Sequence, residues 1–294
     1  MIRSPKRALI TGAQGQLGKS LQATAPPDWQ VLSCGRRELD VTDAGMVSAV
    51  LRRERPDVVL HAAAYTDVDG AEVQIDRAEA VNRVGSANIA RTASEIDARV
   101  IHISTDFVFD GTQGHPYAPE DPPNPLNVYG KSKLAAEREV ARFTEGRALI
   151  VRTAWVYSEY GNNFVHTMLR LMRERESLAV VSDQVSSPTW GRMLAEALWR
   201  AADRPMLQGI LHWTDAGVAS WYDFAIAIQE EALRLGLLSR AAGIQPVRSD
   251  EFPRPARRPL YSVLDKTGGW VSLNGPARHW RTNLRSMLQE FTDG

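Results

Sequence analysis

Residues 7–18 read RALITGAQGQLG, a short apolar run that ends in glycines at positions 12, 15 and 18. The run has the length of a buried strand, and the glycines mark a tight turn into a helix. Gly12 and Gly15 permit that turn and let backbone N–H groups approach a pyrophosphate, while Gly18 lets helix and strand pack closely. Apolar runs recur at 30–34, 58–63, 100–104 and 148–153. Stretches of helical period separate them: 43–55 behind Thr42 as the expected N-cap, 77–97, and 128–143. Strands alternating with helices predict a parallel sheet covered on both faces, with ligands beyond the carboxyl ends of the strands.

The candidate chemistry falls at those ends. Tyr129-Gly130-Lys131-Ser132-Lys133 places a phenol and an ammonium four residues apart, hence on one helix face. A cation beside a tyrosine stabilises the phenolate, so the pair is expected to lower the pKa of Tyr129 and fit it to protonate an alkoxide. At the end of the fourth run, Ser104 and Thr105 carry hydroxyls that can donate to a substrate carbonyl. The second run ends Ser33-Cys34-Gly35-Arg36-Arg37, without the carboxylate that selects NAD at this place. Arg36 or Arg37 can instead pair with a 2′-phosphate, which favours NADPH.

Composition narrows the class. At 294 residues and 44% hydrophobic the chain can bury a full nucleotide-binding core plus a smaller lobe. Zero formal net charge argues against nucleic-acid and anionic-membrane partners. The single cysteine, Cys34, excludes an internal disulfide and suits a reducing, cytoplasmic setting. No apolar run approaches the roughly 18 residues that span a bilayer, and nothing before the first strand reads as a signal peptide.

With these motifs in place, the chain resembles the extended short-chain dehydrogenase/reductases, and within them the dTDP-4-dehydrorhamnose reductase family. The stretches that carry the likeness are TGAQGQLG (11–18), ELDVTD (38–43), RPDVVLHAAAYTDVDGAE (55–72), HISTDFVFDG (102–111), PLNVYGKSKLAAE (125–137), VRTAWVYSEYGNNF (151–164), VVSDQVSSPT (180–189) and FPRPARRPLYSVLD (252–265). The resemblance implies a Rossmann-type, doubly wound α/β fold: a dinucleotide-binding domain over 1–155 and mainly a substrate lobe over 156–294, with some segments returning to the first. Its cofactor set is Gly12, Gln14, Gly15, Gln16, Leu17, Arg36, Asp40, Val41, Ala62, Ala63, Ala64, Tyr129 and Lys133. Members accept NADPH or NADH. The implied reaction is hydride transfer to C4 of a 4-keto dTDP-sugar, with Tyr129 giving the proton, Thr105 hydrogen-bonding the carbonyl, and Lys133 holding the nicotinamide ribose. Trp155, Asn163, Gln184 and Arg258 match substrate-side positions, Arg258 as a partner for the diphosphate. Arg257 beside it reads as solvent-facing.

Beyond residue 153 the alternation loosens. Loops are expected at 182–189, 207–209 and 245–259, and helices at 164–174, 190–202, 221–235 and 279–291. Ser186 stands where the resembling family usually has glycine, and Tyr65 where it commonly has histidine. Some members dimerise through a metal held by glutamates, but the matching positions here are Ser20 and Arg192, leaving Glu290 alone. No structural metal is therefore expected, and a homodimer is left open. Two other readings share the motifs. A nucleotide-sugar epimerase or dehydratase keeps YxxxK, although dehydratases place an acid after Thr-Asp and here Phe107 follows Asp106. A catalytically silent subunit, such as the regulatory subunit of methionine adenosyltransferase, keeps the fold.

Overall fold

The first apolar run becomes β1 (Lys6–Thr11), buried from Ala8 onward, and the glycine turn delivers the chain to α1 (Gln16–Ala23). The computed structural model describes residues 6–291. Next come β2 (Trp29–Cys34), α2 (Ala44–Glu54), β3 (Val58–His61), α3 (Val68–Val73) and α4 (Ile75–Glu79), then α5 (Gly85–Glu95), β4 (Arg99–Thr105), α6 (Val128–Phe143) and β5 (Leu149–Thr153). These five strands pair in parallel in the order β2-β1-β3-β4-β5. All four residues of β3 and all five of β5 are buried, as a sheet covered on both faces requires.

Two local expectations are corrected. Asp43, not Thr42, caps α2, its carboxylate accepting from Met46 N–H at 2.9 Å. The Thr42 hydroxyl is engaged by Asp40 at 2.7 Å. The helix expected over 77–97 is interrupted by a π-helical turn at Ala80–Val84. That turn aims the buried Asn82 at the Tyr65 backbone and at the Ser132 hydroxyl.

After β5 the chain builds a second layer and also returns to the first. The strands β6 (Val156–Tyr157), β7 (Ser177–Val181), β8 (Val185–Ser186) and β9 (Thr189–Trp190) and the helix α7 (Phe164–Glu174) lead into α8 (Gly191–Ala202). Leu194 and Leu198 of α8 join the core on one face of the first sheet, with Leu21, Leu60 and Val151. Then β10 (Gly209–His212) pairs in parallel with β5 and makes the sixth strand. It begins at Gly209, inside the loop expected at 207–209, and Ile210 is 39% exposed, so the hydrophobic signal is short and diluted. β11 (Ala219–Ser220), α9 (Trp221–Arg234), β12 (Gly243–Val247), α10 (Thr267–Ser272) and α11 (Trp280–Gln289) follow. β12 occupies part of the loop expected at 245–259. As the mostly exposed member of a two-stranded pair it tolerates Pro246. A separate core of Val165, Leu169, Phe224, Ile228 and Leu284 holds this layer.

A strap after β12 crosses back onto the first layer. Arg258 forks onto Asp69 of α3, with Nη1–Oδ1 at 3.0 Å and Nη2–Oδ2 at 2.8 Å, and Asp69 also accepts from Ala256 N–H. Arg254 stands 3.8 Å from the same carboxylate.

Two outcomes follow from this packing. A Cβ at Gly18 would lie 2.3 Å from Gly12 O and 2.6 Å from Ala13 Cα, contacts with backbone that cannot swing aside. Gly18→Ala should therefore cost about 3 kcal/mol, the upper range for overpacking, as read from urea unfolding. Burial alone would raise the Asp69 pKa, but the Arg258 and Ala256 hydrogen bonds and the Arg258 and Arg254 charges outweigh it and leave it lowered. A depressed carboxyl contributes stability above its unfolded value of about 4 and loses it as pH falls through the folded value. The stability gap between wild type and Asp69→Asn should thus be flat at neutral pH and close on acidification.

Candidate active site

Beyond the carboxyl ends of β1, β3 and β4 the sheet opens into a cleft of about 670 Å³. Its floor is the glycine loop. Gly12 sits at φ +65°, a conformation that favours glycine, and a Cβ there would meet the Ala63 backbone at 2.8 Å. Gly15 is the N-cap of α1 and offers no side-chain acceptor, so the first N–H groups of that helix face the cleft without a capping partner. Gln14, Gln16 and Leu17 line the same end, and Ala62, Ala63 and Ala64 form the opposite wall. Thr11 ties the two together: its hydroxyl accepts from Ala63 N–H at 3.1 Å and lies 2.7 Å from His61 Nδ1. His61 Nε2 lies 3.0 Å from the Ser86 hydroxyl, and burial pushes this imidazole down to about 3, so it is neutral.

Arg36, Asp40 and Val41 lie at the far end of the cleft. Arg36 is 71% exposed and pairs with Asp40 at 3.1 Å. The Asp40 carboxyl is held below the usual range chiefly by the Thr42 hydroxyl, and also by Arg36. The exposed guanidinium remains within reach of an anion in the cleft. Arg37 is not part of the wall.

At the other end stand Thr105, Tyr129 and Lys133. Asn127 caps α6 by accepting from Gly130 N–H at 2.8 Å, Glu72 takes the Val128 N–H at 2.8 Å, and Gly130 lets the helix approach the Phe107 carbonyl. Tyr129 is thereby fixed one turn before Lys133. The expected depression of the tyrosine pKa is overturned: burial pushes Tyr129 up to about 12, Asp106 adds to the rise, and the Thr105 hydrogen bond only partly opposes it. Lys133 Nζ donates to Ile103 O at 2.7 Å, and burial pushes the amine down to about 8. Tyr129 is thus a phenol at neutral pH, the form that gives a proton. Thr105 also differs from expectation. Its hydroxyl donates to Asp106 at 3.1 Å and accepts from Phe107 N–H at 3.1 Å, so its donor hydrogen is already engaged.

Asp106 is the residue that sequence reasoning undervalued, having used it only to set aside elimination chemistry. It lines the cleft yet is 2% exposed, and its second oxygen accepts from Ser262 at 2.5 Å and Ser186 at 3.2 Å. Burial raises its carboxyl to about 6. Ser186, the departure from glycine, therefore has a partner. Arg77, whose guanidinium lies 5.6 Å from the Tyr65 ring, also reaches the cleft, and its place in a helical pattern concealed this.

Of the substrate-side residues, Trp155 reaches the cleft. Its φ is +45°, unusual for a bulky residue, and its ring stacks on Trp221 at 3.4 Å. Asn163, Gln184 and Arg258 are not among the residues that line the cleft. Asn163 caps α7 and donates to Gln16 Oε1 at 3.0 Å, bracing the glycine loop from the second layer. Gln184 donates to Ser249 at 2.9 Å, and Arg258 is occupied by Asp69. Arg192 pairs with Glu290 at 2.6 Å, while the Ser20 hydroxyl turns inward to Gln16 O. Among the described residues no group of three or more His, Cys, Asp or Glu side chains is placed to hold a metal ion.

Comparison with known proteins gives the arrangement its relatives. The family described as RmlD substrate binding domain matches residues 6–293. A dTDP-4-dehydrorhamnose reductase of Aggregatibacter actinomycetemcomitans is 40% identical over 288 residues, covering 96% of this chain and 98% of that protein. One of Mycobacterium tuberculosis is 42% identical over 295 residues, 98% of this chain and 94% of that protein. The crystal structure of dTDP-4-dehydrorhamnose reductase from Bacillus anthracis in complex with NADP superposes with a TM-score of 0.92 at 35% identity, covering 98% of this chain and 100% of that one. A match over nearly its whole length, on the fold and cleft described above, means that this chain belongs to the RmlD substrate binding domain family.

Proposed function

We propose that this protein is an NADPH-dependent oxidoreductase that reduces the 4-keto group of dTDP-4-dehydro-L-rhamnose to give dTDP-L-rhamnose. The observation that carries the reading is one continuous cleft with a glycine-floored, uncapped helix start near one end and Thr105, Tyr129 and Lys133 at the other. The residues fit a dinucleotide. Glycine at position 12 lets the loop pack against the Ala62–Ala63 backbone, and the start of α1, with no side-chain cap, is left open to the cleft. The names of the relatives supply the sugar nucleotide, and the NADP of the Bacillus anthracis structure supports the cofactor.

When bound, NADPH supplies the hydride that adds to C4 of the ketone. The α1 start and the loop N–H groups hold the pyrophosphate, Arg36 the 2′-phosphate, and the Lys133 ammonium the nicotinamide ribose. Tyr129 gives its proton to the C4 oxygen as negative charge develops there. Thr105 stands at the same end of the cleft and can turn its hydroxyl to the carbonyl once released by Asp106. Trp155 presents its ring to the sugar, braced by Trp221. We assign Asn163 a supporting role in bracing the glycine loop through Gln16, and Gln184 one in holding its own loop through Ser249. Arg258 can take a diphosphate only by giving up Asp69. We place the reaction in the cytoplasm on the single, buried Cys34, which suits a reducing compartment.

The deciding experiment mixes purified protein with NADPH and dTDP-4-dehydro-L-rhamnose and follows nicotinamide absorbance. Stoichiometric oxidation supports the reductase, whereas NADPH binding without turnover would mean a silent binding subunit. Tyr129→Phe should lower kcat by roughly 10²-fold or more with NADPH affinity nearly intact, since it removes the donor and little packing. Converting Arg36 and Arg37 to Ala should weaken NADPH by about 1–3 kcal/mol, the scale of a charge-assisted hydrogen bond, and leave NADH unchanged. Equal losses for the two cofactors in a direct binding titration would remove these arginines from 2′-phosphate recognition.

A further inference from the structure

Behind the cleft wall lies a charged group that the reaction scheme does not use. Glu137 stands one helical turn beyond Lys133 on α6, so both project from one face. The residue is only 3% exposed. Arg152 of β5 grips its carboxylate twice, Nε to Oε1 at 2.9 Å and Nη2 to Oε2 at 2.7 Å, and the Ser104 hydroxyl of β4 donates to Oε1 at 2.5 Å. Arg152 itself donates to Pro119 O at 3.3 Å and lies 3.5 Å from His212 Nε2 of β10. Each arm ends at the site: Ser104 precedes Thr105, Arg152 stands three residues before Trp155, and α6 carries Tyr129 and Lys133.

We infer that Glu137 is a positioning residue of the reductase centre: it locks the segments bearing Tyr129, Thr105 and Trp155 in register and keeps the Lys133 amine positively charged inside a dry wall. The inference rests on the NADPH-dependent reading above. A buried ion pair is a weak source of stability, because desolvation offsets its attraction and well-packed apolar residues often serve as well. Electrostatics at Lys133 supplies the reason that stability does not. The groups facing that amine are His61 from β3, His102 from β4, Glu137 on its own helix and the Ile103 carbonyl. Both imidazoles are held neutral, by burial first and then by Lys133 itself. Burial pushes the lysine down to about 8, and Glu137 is the charge that opposes the fall. Arg152 and Ser104 fix the carboxylate in place.

The test reads Lys133 without any ligand. Protein labelled with carbon-13 at lysine Cε is titrated by NMR, with Lys133→Met assigning the resonance, in wild type and in Glu137→Gln. Loss of the carboxylate should lower the Lys133 midpoint by about one unit or more, the scale of a nearby opposite charge in a buried site. The alkaline limb of kcat should move down with it. If the unpaired guanidinium prevents folding, Glu137→Gln/Arg152→Met removes both charges and should shift the midpoint in the same direction. An unchanged midpoint in a folded variant overturns the inference. A shifted midpoint in a protein that oxidises no NADPH with the dTDP-sugar would instead overturn the reaction while leaving the Lys133–Glu137 coupling standing.

Discussion

The reversal of strand order at β1 is the constraint on which the rest of this structure depends. The chain runs from β1 outward to β2 and then crosses to β3 on the other side, so the connections after β1 and β3 leave in opposite directions. The crevice between them is a topological consequence, present whatever side chains line it. What the sequence adds is how narrow its floor is. Gly12 and Gly18 bring loop, helix and the β3 end to backbone contact, and Thr11 fixes that contact through Ala63 and His61. A ligand entering here meets backbone N–H groups before it meets side chains.

A second constraint follows from the first. Chemistry placed at the ends of buried strands is itself buried, and burial opposes charge. Tyr129, Lys133, Asp106, His61 and His102 are each displaced toward their neutral forms with desolvation as the first cause. The structure answers unevenly. Asp106 receives hydroxyls from Ser186, Ser262 and Thr105, and Glu137 receives a guanidinium and a hydroxyl. Among the described residues neither ring nitrogen of His102 has a partner, and leaving such groups unpaired costs about 1–3 kcal/mol each. Its ring instead lies 5.2 Å from that of His61. Burial first, and then the charge of Lys133, keep both imidazoles uncharged.

This contrast sets what could be read in advance. Five of the six strands of the central sheet, the glycine turn and the Tyr129–Lys133 helix were legible because each is a local pattern of period or spacing. β10 was not, because four residues at the sheet edge carry too little hydrophobic signal, and its partner β5 lies some sixty residues earlier. The π-helical turn was hidden for a different reason: Ala80–Val84 keeps a helical composition, and only its tertiary partners at Tyr65 and Ser132 explain the extra residue. Among site residues, those on the glycine loop and the alanine run reach the cleft. Those inferred on the second layer mostly do not, since position along a loop says little about which way its side chains turn. Asn163 and Arg258 are both engaged by first-layer partners, Gln16 and Asp69.

The same lesson applies to protonation. An ammonium four residues from a phenol invites the conclusion that the phenol is acidified, and that reasoning is sound at equal solvation. Here burial is the larger effect. With Asp106 adding negative charge nearby, Tyr129 stays protonated well above neutral pH. For a reductase that is the useful state, because the proton must be on the oxygen before the ketone accepts a hydride. A dehydrogenase working toward the ketone would need the opposite, a phenolate ready to take the alcohol proton. The carboxylate held by Ser186 and Ser262 thus adds to what burial does at Tyr129. It also engages the Thr105 hydroxyl, which must leave Asp106 before it can donate to a substrate oxygen.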